Sequence, residues 1–256
     1  MDVKLLSQTK DKVTFRISRT DYVFVNTLRR LIMEEVPTLV IEDVNFIENS
    51  SALYDEMIAL RLGLLPLKTD LKSYVLPEKA KNESDPRAFL NLKLKTKGPC
   101  TVFASDLQSQ DPKIGSVYKE MIIVKLLKDQ KLEFEATAIL GKGKRHMKFS
   151  PALVYYHNVS IVNIKNKDAD EFKNKYPSAI FDKNGKIDAK LINSQQLIDA
   201  CKNINPDIIE VKEKEDEFDF IIESWGQLSH KAILEEAFDI LAEKIKEFDK
   251  LVDKIR

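Results

Sequence analysis

The C-terminal stretch constrains this chain more than any other part of it. Leu234, Phe238, Leu241, Ile245, Phe248, Val252 and Ile255 follow one another at intervals of 4, 3, 4, 3, 4 and 3 residues. That is an a/d seam held over three heptads, and a long amphipathic helix puts such residues on one line. Ile233, Ala237, Ile240 and Leu251 add a second stripe beside it. One stripe can pack on the chain's own sheet. The pattern therefore reads either as one broad core-facing surface or as a helix shared with a partner protein.

The chain has 256 residues, room for one large or two modest domains. Hydrophobic residues make up 43% and charged residues 32%, with 41 basic against 41 acidic side chains. This composition excludes a disordered tail, a collagen-like chain and a strongly basic nucleic-acid binder. The neutrality is uneven: Glu213 to Arg256 holds 13 acidic and seven basic residues, leaving the basic excess to the remainder. Cys100 and Cys201 lie too far apart for a CxxC site, and two thiols make no disulfide framework, which points to a reducing, intracellular setting. Met1-Asp2-Val3-Lys4 opens no signal-like apolar region, and no run reaches ~18 apolar residues, so the expectation is a cytoplasmic protein, neither secreted nor membrane-spanning.

Val3 and Leu5, then Val13, Phe15 and Ile17, alternate with polar neighbours about a Thr9–Lys12 turn, the pattern of a hairpin. Thr20 or Asp21 can cap a following helix whose apolar face is Phe24, Val25, Leu28, Leu31 and Ile32, with Asn26, Arg29 and Arg30 off that face and Pro37 as its stop. Residues 38–47 read as a strand, and a short helix with Asp55 and Glu56 early and Arg61 late runs to Gly63 and Pro66. Short strands follow at 89–94, 101–104, 121–127 and 132–139, a mostly β middle section. Beyond it the pattern gives strands at 152–164, 208–211 and 218–224, with a helix at 194–202.

No constellation of catalytic groups emerges. His146, His157 and His230 are scattered, no HExxH or nucleophile motif occurs, and Asp106 and Asp111 are too loosely spaced for a metal loop. Gly141-Lys142-Gly143-Lys144-Arg145-His146-Met147-Lys148 resembles part of a phosphate loop but lacks GxxxxGK[ST]. Its cations suit an acidic protein surface or a nucleic-acid backbone, leaving open a stand-alone nucleic-acid-binding protein that uses residues 142–148.

Several blocks are more specific. The run from Asn26-Thr27-Leu28-Arg29-Arg30 to Val36-Pro37, then Ile41-Glu42-Asp43-Val44, Leu53-Tyr54-Asp55-Glu56 and Ala59-Leu60-Arg61-Leu62-Gly63-Leu64-Leu65-Pro66, resembles the signature of the α-like subunits of cellular RNA polymerases, most closely their archaeal members. Ala104-Ser105-Asp106-Leu107 with Asp111-Pro112, the Gly141–Pro151 block, and Phe220–Gly226 resemble the same family in order, so the likeness runs nearly end to end.

The resemblance implies an α+β fold: a discontinuous α-like dimerisation domain (sheet plus two helices) at 1–48, 151–164 and 215–256, a mostly β insert domain at 49–150, and a small ferredoxin-like module at 165–214. It implies a non-catalytic assembly platform within DNA-directed RNA polymerase. The chain would heterodimerise with the small α-like subunit L, and subunits N and P and the second-largest polymerase subunit would dock on that pair. Phe24, Leu28, Leu31, Leu241, Ile245, Phe248, Val252 and Ile255 would face the dimer partner. Asn26, Arg29, Arg30, Lys142, Lys144, His146 and Lys148 would face a large subunit; the residues alone also allow Arg29 and Arg30 to pair with Glu34 or Glu35. Many archaeal relatives carry cysteines for iron–sulfur clusters in the segment matching 165–214; Cys201 is the only thiol here, so no cofactor is expected.

Overall fold

The computed structural model describes residues 1–82, 85–166 and 170–254. Strands β1 (Asp2–Gln8) and β2 (Lys12–Ser18) form the expected hairpin, closed where Thr9 N donates to Lys12 O at 2.8 Å. Helix α1 (Tyr22–Arg30) and strand β3 (Thr38–Asn49) follow, then helix α2 (Asp55–Gly63), strands β4 (Phe89–Lys97), β5 (Cys100–Phe103), β6 (Gln108–Ser109), β7 (Ile122–Leu126) and β8 (Lys131–Gly141). Strand β9 (Ala152–Ile164), helix α3 (Gln195–Cys201), strand β10 (Ile209–Ser224) and helix α4 (His230–Asp253) complete the order. This is a mixed α/β protein with several sheets, compatible with an α-like domain.

Among the described residues the strands form three sheets, in the orders β1-β2-β10-β9, β3-β8-β4-β6 and β5-β7. Two compact units result, one from Met1–Leu6, Thr14–Val25 and Tyr156–Phe220, the other from Ser7–Val13, Asn26–Tyr155 and Ile221–Arg256.

In the first unit Phe15 stacks on Phe220 with ring centroids 5.1 Å apart, and Arg16 grips Asp219 through Nε at 2.7 Å and Nη2 at 3.0 Å. A small apolar core gathers Tyr176, Ile180, Ile187, Ile192 and Cys201. The hydropathy pattern predicts two strands near 208–211 and 218–224, whereas one strand, β10, covers both. The residues between, Lys212 to Glu217, are all charged, which erases the hydropathy signal. Backbone pairing does not require an apolar side chain where a strand reaches water, and Asn158 Nδ2 secures the charged stretch by donating to Lys214 O at 2.8 Å.

In the second unit α2 lays Ile58 and Leu62 on a core shared by β3, β4, β7 and β8, including Leu39, Leu92, Phe134 and Val124. Each fully buried side chain of this size contributes about 1.5–3 kcal/mol relative to exposure, which makes this core the main source of the unit's stability. The antiparallel register of β3 with β8 pairs Thr38 with Gly141. That single pairing sets the residues after Gly141 beside those before Thr38, and the candidate site grows from there.

Candidate functional site

Helix α1 begins at Asp21, whose Oδ1 accepts from Phe24 N at 2.8 Å. It does not stop at Pro37 as an α-helix. Leu31–Glu35 widens into a π-turn, closed where Val36 N donates to Leu31 O at 3.2 Å. A π-turn inserts a residue into the helical register and so redirects the side chains that follow, a device common at functional sites. The side chain it redirects is Glu35, 12% exposed, which accepts from Lys142 Nζ at 2.9 Å and from Lys244 Nζ at 2.8 Å. Burial pushes the Glu35 carboxyl up in pKa, but the hydrogen bonds from Lys244 and Lys142 outweigh it and hold the group below its ordinary value.

The basic block packs tightly on the same turn. Lys144 N donates to Glu34 O at 2.9 Å, and a Cβ on Gly143 would lie 1.9 Å from Met33 O, so only glycine permits this approach. Thr38 Oγ1 donates to Phe149 O at 2.7 Å and closes the far end of the block. Glu42 on β3 takes Arg145 at 2.6 Å and Lys148 at 2.5 Å, and Lys148 Nζ also donates to Ile41 O at 3.2 Å. His146 Nδ1 accepts from Lys148 N at 3.0 Å. Lys142, Arg145 and Lys148 are thus neutralised within the chain, and Lys144 is the exposed lysine of the block that forms no ion pair among the described residues. A reading of this block as a phosphate-backbone grip loses most of the charge it needed.

Arg30 is clamped to Glu34, Nε to Oε1 and Nη2 to Oε2, both at 3.0 Å. Half-buried Arg29 donates to Asn26 Oδ1 at 3.1 Å. Of the two pairings that the residues allowed, Arg30 takes the one with Glu34, while Glu35 goes to the lysines. Sequence reasoning misses Glu35, Glu42 and Lys244 as organising residues because the pairs they make span 103 to 209 positions and no local spacing marks them.

Leu28 and Leu31 are 3% and 6% exposed. They turn into their own unit because α1 and the π-turn must cover it, and so offer a partner almost no surface. Phe24 is half-buried, and Tyr22 and Val23 beside it are exposed. On α4, capped where Ser229 Oγ accepts from Ala232 N at 3.2 Å, the two stripes part company. Ile233 and Ala237 are fully buried, Leu234, Ile240 and Leu241 half-buried, and the first turns pack on the π-turn. From Ala242 to Lys254 every residue is exposed, including Ile245, Phe248, Leu251 and Val252. Ile255 lies outside the described residues. Four large apolar side chains on three turns of helix form a patch of the kind that marks an interaction surface.

The remaining polar candidates have local tasks. Asp106 accepts from Phe103 N at 2.8 Å, and Asp111 accepts from Lys113 N at 2.9 Å and from the Tyr74 hydroxyl at 3.1 Å. Burial and that carboxylate push Tyr74 up to about 12. Burial raises the Cys201 thiol, which sits in the apolar core of the first unit. Among the described residues no group of three or more His, Cys, Asp or Glu could hold a metal ion, and no helix is long and apolar enough to cross a membrane.

The RNA polymerase Rpb3/RpoA insert domain matches residues 44–154. The DNA-directed RNA polymerase subunit Rpo3 of Pyrococcus horikoshii is 34% identical over 255 residues, covering 96% of this chain and 95% of the relative. The Rpo3 subunits of Methanosphaera stadtmanae and Pyrococcus furiosus are 32% and 33% identical over 260 and 264 residues, covering 95% and 100% of this chain and 96% and 98% of the relatives. The mixed α/β fold and these relatives together define a subunit of a DNA-directed RNA polymerase, acting in transcription. The chain belongs to the Rpo3 family of such subunits.

Proposed function

We propose that this chain is the assembly platform of its polymerase, contributing surfaces rather than catalytic groups. Its dimerisation domain comprises residues 1–48, 151–164 and 215–256, its insert domain residues 49–150, and residues 165–214 form a ferredoxin-like module without a cluster. The observation that carries the reading is the bare C-terminal half of α4, where Ile245, Phe248 and Leu251 are 54%, 66% and 57% exposed. Such side chains are costly to leave in water, and burying each against a partner gains about 1.5–3 kcal/mol. The small α-like subunit L is the partner, packing on Leu241, Ile245, Phe248 and Val252 of α4. Subunits N and P and the second-largest polymerase subunit then dock on the pair in the cytoplasm.

Asn26, Arg29 and Lys144 with His146 form the polar part of the surface offered to the large subunit, while Arg30, Lys142 and Lys148 support it through their internal pairs. The module keeps no cluster because Cys201 supplies a single thiol and is buried in an apolar core that includes Tyr176, where four thiolate ligands are needed. Co-expression with subunit L tests the reading. Phe248→Asp places a charge in the contact and is expected to abolish the heterodimer on size exclusion while the circular dichroism of the chain is unchanged. A variant that still elutes as the heterodimer would overturn the assignment of this face.

A further inference from the structure

Helix α2 shows two apolar sides. Ile58 and Leu62 enter the core of the second unit, whereas Tyr54, Met57, Leu60 and Leu64 are 47–78% exposed. Their spacing of 3, 3 and 4 residues lines the four up as one stripe, about 15 Å long and turned away from Ile58 and Leu62. At Leu64 the stripe meets a recess of about 480 Å³ in the same unit, lined also by the exposed Tyr118, Met121, Met147 and Trp225. Single apolar side chains on a surface are ordinary. An adjoining set that includes a tryptophan, two tyrosines and three methionines has the composition of an interface core. None of these residues belongs to the bare face of α4.

The charges along the stripe are ordered by sign. Asp55 and Glu56, beside Tyr54, are exposed and form no ion pair among the described residues; Asp55 accepts from Asn49 Nδ2 at 2.7 Å. Toward Leu64 stands exposed Arg61, whose Nη1 donates to Ile123 O at 2.8 Å and which meets no carboxylate among the described residues. His146 lines the recess, and because its Nδ1 accepts from Lys148 N, the proton of the neutral ring sits on Nε2 as a donor. Lys148 lines it too but is already held by Glu42. One end of the surface is therefore acidic, and the other offers positive charge and a donor.

We propose that this face docks an amphipathic helix of another polymerase subunit, lying antiparallel to α2, with its own apolar stripe on Tyr54, Met57 and Leu60 and large apolar side chains seated in the recess. The length of the stripe matches roughly three turns of a facing helix, a recurrent mode of recognition. Charge fixes the direction. Helices favour acidic residues in the first turn and basic ones in the last, so an antiparallel helix brings its acidic start to Arg61 and His146 and its basic end to Asp55 and Glu56. A parallel one sets like charges against each other. The proposal rests on the platform reading and adds to it the place and the element by which a subunit other than L is held.

The test uses polymerase assembled around the full-length chain. p-Benzoylphenylalanine in place of Leu60 is photolysed in that complex and the adduct is mapped by mass spectrometry. It should lie in a subunit other than L, in a segment whose apolar residues are spaced by three and four. Leu60→Asp/Leu64→Asp changes exposed side chains only, and should lower incorporation of the cross-linked subunit by roughly tenfold or more while the heterodimer with L and the circular dichroism are unchanged. Glu56→Lys should weaken retention of the same subunit, less so at high salt, and retention that is unchanged or stronger would overturn the antiparallel direction. An adduct on L, on a second copy of this chain, on nucleic acid or on an extended segment, the absence of any adduct, or normal assembly around the double variant would overturn this proposal alone. An unsubstituted chain that enters no polymerase would overturn the platform reading with it.

Discussion

Replacing Glu35 by Gln removes the charge at the junction of the π-turn, the basic block and α4 while keeping the side chain's shape. Two ion pairs are affected. Their lysines are 35% and 49% exposed, which limits each pair to the range of surface bridges, about 0.2–1 kcal/mol. The carboxylate itself is largely enclosed, and the amide can accept one hydrogen bond but presents an N–H₂ to the other lysine, which adds a desolvation cost. Together these give a loss of about 1–2 kcal/mol and a fall in Tm of roughly 3–6 °C for a chain of this size.

The pH dependence has a definite sign. Glu35 titrates below its ordinary value of 4.5 in the fold, so its stabilisation is complete above that value and disappears as pH falls through the lower folded one. Urea denaturation of both proteins, followed by circular dichroism at pH 7 and at stepwise lower pH, should show a gap that is constant above about pH 5 and closes in acid. A double-mutant cycle with Lys244→Met should give a coupling of about 0.5–1 kcal/mol. A gap that widens in acid, or single and double variants that add without coupling, would show that Glu35 is not the joint between these elements.

Two further outcomes are expected. Gly143→Ala forces a Cβ into Met33 O and must lift the basic block off the π-turn, for a loss of about 1–3 kcal/mol in thermal or urea melts; unchanged stability would contradict the close approach. The purified protein should carry no stoichiometric iron and no absorbance near about 400 nm. Cys201 should react with a thiol reagent only on unfolding, ahead of which half-buried Cys100 reacts alone. A brown, iron-loaded preparation would refute the cluster-free module.

The elements are largely legible because most of them announce themselves locally. The hairpin has its alternation, α1 its aspartate cap, β9 its run of branched and aromatic residues, and α4 its heptads. The π-turn is not legible, since Leu31–Glu35 carries the same apolar spacing as the α-helix before it. Strand β10 is cut in two by a hydropathy reading because hydropathy sees side chains and a ladder is made by the backbone. On α4 the spacing reveals two stripes but not which one the fold covers; that choice depends on where the π-turn lies, and Ile233 and Ala237 take the buried side. The interaction surface is legible as residue types and illegible as pairings. Nothing near Lys142, Arg145 or Lys148 in sequence reveals that Glu35 and Glu42 have already claimed them.

Strand order in the first sheet has a consequence in time. β2 lies between β1 and β10, yet β2 ends at Ser18 and β10 begins at Ile209. At synthesis rates of about 5–20 residues per second, the ~190 intervening residues separate the two neighbours by roughly 10–40 s. The β3–β8 core, contiguous in the chain, can form during that interval, but the hairpin must wait with an unpaired edge that only the last part of the chain can cover. The nascent chain therefore presents its sticky strand early and its sticky helix last, and the ribosome-bound hairpin is where a chaperone would have the longest opportunity to bind.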